Sequence, residues 1–184
     1  ETNPKKEVVF FAIGFETTTP PTANAIKQAK KIDLKNFSVF CNHVLTPVAM
    51  ESLLQAQTDE LGDTSNLDGF VGPAHVSIVI GSQPYEAVSQ KYQKPIVISG
   101  FEPLDVLHSI LMLIEQIKAG RCEVEIQYTR AVNRHGNYLS QQVMADVFEL
   151  HSTFEWRGLG WIPNSALKIN ANYSAFDAEQ RFSL

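Results

Sequence analysis

Apolar residues fall in short continuous runs over the first hundred or so positions, and each run ends in a tight polar loop from which an amphipathic segment departs. Residues 8–13 (VVFFAI) form the longest run, β-branched and aromatic, with charge before it and Gly14 after it. A run without polar alternation predicts a strand buried on both faces, as in a parallel sheet. Runs at 37–41, 67–71 and 95–99 repeat the pattern. Pro20-Pro21 opens a helix with Ala23, Ile26, Ala29 and Lys30 at helical spacing, for which Thr18 or Thr19 is the expected cap. Further helices are expected from about 47 to 56, over 85–92 starting near Pro84, and over 103–119. The last is apolar on most of its circumference, so a central position is expected, with Gly120 as its stop. Residues 123–128 alternate like an edge strand, and 136–150 carry Leu139, Val143, Val147 and Leu150 on one helical face. After His151 the pattern loosens, with 166–169 as a candidate strand and no helix expected. The alternation predicts an α/β fold: a three-layer sandwich with a mostly parallel sheet of about four strands over 1–150. A tail over 151–184 would then return toward a neighbouring domain outside this sequence.

In such a sheet the carboxyl ends of the strands share one edge, where ligands bind. The loops there would be Gly14-Phe15-Glu16-Thr17-Thr18, Asn42 to Pro47, Gly72-Pro73-Ala74-His75-Val76-Ser77, and Gly100 to Asp105. One edge would then gather Glu16, Thr17, Thr18, His43, His75, Ser77, Glu102 and Asp105. The helix start after Gly14 suits an anion, yet Glu16 is itself an anion and can fill that place. His75 follows a rigid Gly-Pro turn, which suits a proton carrier or a metal ligand; His43 stands equivalently, with a hydrogen-bonded structural role as the alternative. Two histidines and two glutamates could hold a divalent metal, but no HxxxH or HxH spacing supports one. His108, His135 and His151 read as structural or exposed, and Arg130, Arg134 and Arg157 as surface or ion-pair residues. GxSxG, GxGxxG, P-loop and zinc-ligand patterns are absent.

Composition narrows the classes. The 184 residues are 44% hydrophobic, enough for one buried core or one domain plus part of another. Net charge is −5 with both signs interspersed and no basic run, which argues against a nucleic-acid face. The most apolar stretch, 106–117, is interrupted by His108 and Glu115 and too short to span a bilayer. Two cysteines, Cys41 and Cys122, in no ligand spacing, fit a reducing cytosol and read as small hydrophobes more often than reactive groups. The absence of a starting methionine suggests a piece of a longer protein. From the residues alone, the reading stops at an α/β domain with a polar site on its strand-exit edge. One possibility is an independent enzyme or anion-binding module using Glu16, His43 and His75.

Taken together, the loops go further. Gly14 to Thr18, His43 to Pro47, Asp68 to Ser77 and Ser99 to Asp105 resemble the blocks of HypD, the hydrogenase maturation family. Gln127-Tyr128 with Gly136-Asn137, Arg157-Gly158-Leu159-Gly160 with Ile162-Pro163 and Ser165, and Tyr173 with Phe176-Asp177-Ala178-Glu179 continue the likeness in the same order. The resemblance implies a cytoplasmic scaffold that works with a HypC-like small chaperone and receives cyanide from a HypE-like donor served by HypF. On it an iron carrying cyanide and carbon monoxide, Fe(CN)2CO, is assembled for the large subunit of [NiFe]-hydrogenase. It implies two α/β domains facing a cleft, of which this chain is the second, and a C-terminal part holding a [4Fe-4S] cluster. The family's CGTH and GPGCPVC motifs would precede Glu1 and the cluster cysteines would follow Leu184, so no metal ligand and no cofactor is expected within this stretch. By the same resemblance Gly14, Phe15, Glu16, Thr17, Thr18, His43, Gly72, Pro73, Ser77, Glu102 and Asp105 line the cleft. His75 would orient a cyanide or a thiol, or relay a proton to it.

Overall fold

The computed structural model describes Asn3, residues 5–61 and residues 67–182, with the backbone alone for 56–61. Along the chain run β1 (Val8–Gly14), α1 (Thr19–Lys31), β2 (Phe37–Val44), α2 (Thr46–Leu61), β3 (Phe70–Pro73), α3 (Ala74–Ile80), α4 (Gln83–Tyr92), β4 (Ile96–Ser99) and α5 (Pro103–Lys118). Then come β5 (Val124–Ile126), α6 (Tyr138–Val147), β6 (Phe148–Leu150), β7 (Thr153–Trp156), β8 (Gly160–Pro163), β9 (Ala166–Ile169), a 3-10 helix (Ala171–Phe176) and α7 (Ala178–Phe182). The fold is α/β, and the strands are shared between two sheets and a hairpin, β7 with β8, rather than forming one sheet of about four. Contacts divide the chain into two compact units, 1–45 with 139–184, and 46–138. That division differs from the expected body over 1–150 with a tail over 151–184.

The first unit holds a four-stranded sheet in the order β1-β2-β9-β6. β1 and β2 run parallel from Val8 opposite Phe37 to Gly14 opposite His43, while β9 joins β2 and β6 antiparallel. α1 contributes Ala23, Ile26 and Ala29 to a core shared with Ala12, Val39, Cys41, Phe148 and Leu167. The two alanines let the helix lie close, and full burial of Ile26 contributes about 2–3 kcal/mol. Residues 148–150 leave the expected helix over 136–150 because they pair with β9. The tail also contains a 3-10 helix and α7, where no helix was expected. β1 differs most from expectation: it is an edge strand, and Phe10, Phe11 and Ile13 are exposed rather than buried on both faces.

The second unit is built on a parallel sheet, β3-β4-β5, whose central strand β4 is buried at every residue. Met50, Leu54, Tyr85, Val88, Ile96, Ile98 and Val132 form its core. β5 is an edge strand, as the alternation predicts, though it is shorter than 123–128. α5 keeps its expected span, and Gly120 just beyond it has the left-handed φ of +64° of a helix stop. Its placement is not central. It buries Asp105, Ser109, Leu113 and Gln116 and exposes Leu104, Leu107, Leu111 and Ile114. α3 occupies 74–80, where a loop through Ser77 was expected.

Candidate functional site

In the first unit, the exits of β1 and β2 lie side by side, with Gly14 in register with His43. Gly14 has φ +148°, a conformation L residues rarely adopt, and a Cβ there would run into the Thr18 hydroxyl. The turn that follows closes on one carbonyl. Phe15 C=O accepts from the Thr18 N–H and hydroxyl, both at 3.1 Å, and from the Thr19 hydroxyl at 3.2 Å. Neither threonine caps α1 through its side chain, contrary to expectation, because both hydroxyls are committed to Phe15. Glu16 is buried at the same turn.

His43 is fully buried, with its ring edge toward Phe148 at 5.8 Å. Its Nε2 lies 3.5 Å from Thr22 Oγ1, and the Thr22 hydroxyl donates to the Thr18 carbonyl at 2.9 Å. That hydroxyl has one proton and has spent it, so it accepts from His43, which assigns the proton of the neutral ring to Nε2. Nδ1 has no hydrogen-bond partner among the described residues. Burial pushes the imidazole down to about 4, so the ring is neutral at pH 7. A chain of hydrogen bonds thus runs from β2 through Thr22 to the β1 loop, which sequence reasoning missed because Thr22 lies a full helix turn past the loop. Two residues back on β2, burial pushes the Cys41 thiol up to about 11, and it donates to the Leu167 carbonyl at 3.2 Å. It is not a thiolate nucleophile.

In the second unit, the exits of β3, β4 and β5 bring together Gly72, Pro73, His75, Phe101, Glu102 and residues 127–130. His75 sits in the first turn of α3 rather than in a loop, exposed, with its ring 4.7 Å from that of Phe101. Ser77 is buried and donates to the Pro73 carbonyl at 2.8 Å, which ties α3 to the strand exit. Asp105 is not a free acid. Arg130 holds both its oxygens, at 2.9 and 2.5 Å, and Gln127 donates to it at 3.0 Å. Arg130 first, then Gln127, hold its carboxyl below the usual range, and Asp105 in turn raises the guanidinium. Arg130 also reaches Glu102 at 3.4 Å and lies 4.1 Å from the centre of the Tyr128 ring. The buried Gly100 makes room for this: a Cβ there would meet the Asp105 carboxylate and the Tyr128 ring. Its N–H donates to Gln127 at 3.3 Å. Arg130 is an ion-pair residue, as expected, and so is Arg134, which grips Glu86 through two nitrogens at 2.8 and 2.9 Å.

The predicted residues therefore form two groups. Gly14, Phe15, Glu16, Thr17, Thr18 and His43 belong to the first unit; Gly72, Pro73, His75, Ser77, Glu102 and Asp105 to the second. Among the described residues, no three His, Cys, Asp or Glu side chains cluster as a metal would require. Among them, too, no helix is long and apolar enough to cross a membrane.

Comparison with known proteins adds to this geometry. The HypD family, described as "Hydrogenase formation hypA family", matches residues 1–184. The chain is 59% identical over 182 residues to the hydrogenase expression/formation protein HupD of Azotobacter chroococcum mcd 1, covering 99% of this chain and 48% of that protein. It is 58% identical over 182 residues to the hydrogenase maturation factor HypD of Azotobacter vinelandii, with the same coverage. With its counterpart in Escherichia coli K12 it shares 44% identity over 180 residues, 98% of this chain and 47% of that one. The chain spans about half the length of the curated relatives it matches.

Proposed function

The chain belongs to the HypD family, and from that premise we propose that it is part of a hydrogenase maturation scaffold that assembles and delivers the Fe(CN)2CO unit of [NiFe]-hydrogenase. The observation that carries this reading is the match along all of residues 1–184, to relatives named for hydrogenase maturation. In each unit the loop set offers a surface to the cargo. In this reading Gly14 to Thr18 shape that surface, with His43 fixing their loop from below. His75 is the exposed imidazole that orients a cyanide or a thiol, or passes it a proton. Asp105 and Arg130 hold the β4 exit, leaving Glu102 at the surface.

The residues present do not fit a [4Fe-4S] cluster. Such a cluster takes four cysteine thiolates, whereas this chain has two cysteines. Cys41 is buried and protonated, and Cys122 donates to the Gln93 carbonyl at 3.1 Å. Thiolate and redox chemistry therefore belongs to segments outside these residues, and this stretch binds and positions. The partners follow from the same reading: a HypC-like chaperone, a HypE-like cyanide donor and, indirectly, the hydrogenase large subunit, all in the cytoplasm.

The test is genetic and spectroscopic. Deleting the gene that carries this sequence should abolish [NiFe]-hydrogenase activity in its host, and the full-length gene should restore it. The purified full-length protein with its small partner should show the infrared bands of iron-bound cyanide and carbon monoxide. Normal hydrogenase activity in the deletion strain would overturn the proposal.

A further inference from the structure

β1 lies at the margin of its sheet, with β2 on one side. The Val8 N–H donates to the Asn36 carbonyl at 2.8 Å, and Val8 is in parallel register with Phe37. Along a strand the backbone groups of successive residues point to opposite sides. Val8, Phe10, Ala12 and Gly14 thus turn theirs toward β2, whereas Val9, Phe11 and Ile13 turn theirs outward to an edge with no partner strand among the described residues. The side chains do not guard that edge. Val9, Phe11 and Ile13 are 47%, 55% and 62% exposed, and the strand VVFFAIG has no charge and no proline. Such an edge invites pairing.

We propose that β1 is an interior strand in the whole protein, its open edge paired with a parallel strand from the part of the polypeptide outside these 184 residues. Three observations choose this occupant. Outward N–H and C=O groups at alternate residues are matched by a β-strand and not by a helix. A twofold pairing of β1 with β1 of a second copy would be antiparallel, whereas a run apolar on both faces is the pattern of strands inside parallel sheets. Relatives of which this chain covers 48% have as much chain again from which to supply the strand. The inference uses the length of the relatives and does not depend on the maturation role. Its consequence is local: the exit of the incoming strand would lie about 5 Å from that of β1, beside Gly14 to Thr18. The first unit's loop set is then incomplete without it.

Hydrogen exchange resolved to single amides tests this in the full-length protein. The Val9, Phe11 and Ile13 amides should be protected roughly a thousandfold or more, like those of Phe10 and Ala12. Rapid exchange at Val9, Phe11 and Ile13 beside slow exchange at Phe10 and Ala12 would overturn the proposal. Protection that vanishes on dilution to monomer would assign the edge to a second copy. Protection that arises only on adding another protein would assign it to a partner, and either result refutes the occupant proposed. Phe11→Pro and Phe11→Val give an independent reading, since proline removes an outward N–H that an open edge does not need. Soluble full-length protein should fall about tenfold or more with proline and hold with valine. Equal yields would overturn the proposal.

Discussion

Lowering the pH should loosen the first unit through His43. An unfolded chain protonates this ring near the ordinary imidazole value of about 6.5. The folded chain resists protonation down to about 4, because the ring is fully buried and its Nε2–H is directed at Thr22. Between those two values the unfolded state binds more protons, so stability is full above about 6.5 and falls as the pH drops toward 4. At about 1.4 kcal/mol per pH unit, the loss across that window reaches roughly 3 kcal/mol. The assay is urea denaturation at pH 7.5, 6, 5 and 4.5, followed by tryptophan fluorescence. Both tryptophans, Trp156 and Trp161, lie in the first unit and report on it alone. Carboxylates also titrate at the acid end, so the reading is the difference between the native chain and His43→Gln. The variant keeps a donor for Thr22 and cannot be charged. It should lose less stability on acidification, with the gap opening between pH 6.5 and 4.5. Parallel curves, or a ring that titrates near 6.5 by NMR, would refute the argument.

Three other outcomes follow from the geometry. Gly14→Ala should cost about 1–3 kcal/mol by urea denaturation, since its φ of +148° and the Thr18 hydroxyl both oppose a Cβ; unchanged stability would mean that the turn relaxes freely. His75→Ala in the full-length protein should abolish or strongly lower hydrogenase maturation at unchanged soluble yield, because the ring is exposed and lies tilted against that of Phe101; His151→Ala should be nearly silent. Anaerobic reconstitution of this chain with iron and sulfide should leave substoichiometric iron after desalting, and a stable thiolate charge-transfer band would show that Cys41 or Cys122 is a ligand after all.

Local patterns were legible where they reported local preferences. α5 begins at Pro103 as its proline signals, and β9 matches the apolar run at 166–169. Most of the misses come from partners distant in sequence. Residues 148–150 have helical periodicity yet form β6, because β9 offers them a ladder. α3 is rich in Val76, Ile78, Val79 and Ile80, a composition that reads as strand, and helix formation there is aided by the Ser77 bond to Pro73. The run at 8–13 reads as a strand buried on both faces, yet β1 is an edge strand whose side chains, apart from Ala12, are largely exposed: an apolar run reports composition and not what packs against it. The Asp105–Arg130 pair spans 25 positions and the Thr22–His43 contact 21, beyond the reach of any motif.

The two imidazoles at strand exits show how a site is sorted once burial is known. In the sequence His43 and His75 look alike: each follows an apolar run and stands near a polar loop. Their environments separate them. His43 is enclosed by Phe148 and Thr22 and stays neutral at pH 7, so it cannot gain and lose a proton near neutrality without disturbing the core. Its contribution is geometric, holding the β1 loop through Thr22 and Thr18. His75 stands on a short helix tied to its strand by Ser77, exposed and with its ring against that of Phe101. A ring held at its base and free at its tip can meet an incoming group without a packing penalty. Of the two, His75 is the imidazole placed for the proton transfer or ligand orientation proposed above. The two substitutions should fail differently: His43 variants through stability and pH, His75 variants through function at constant stability.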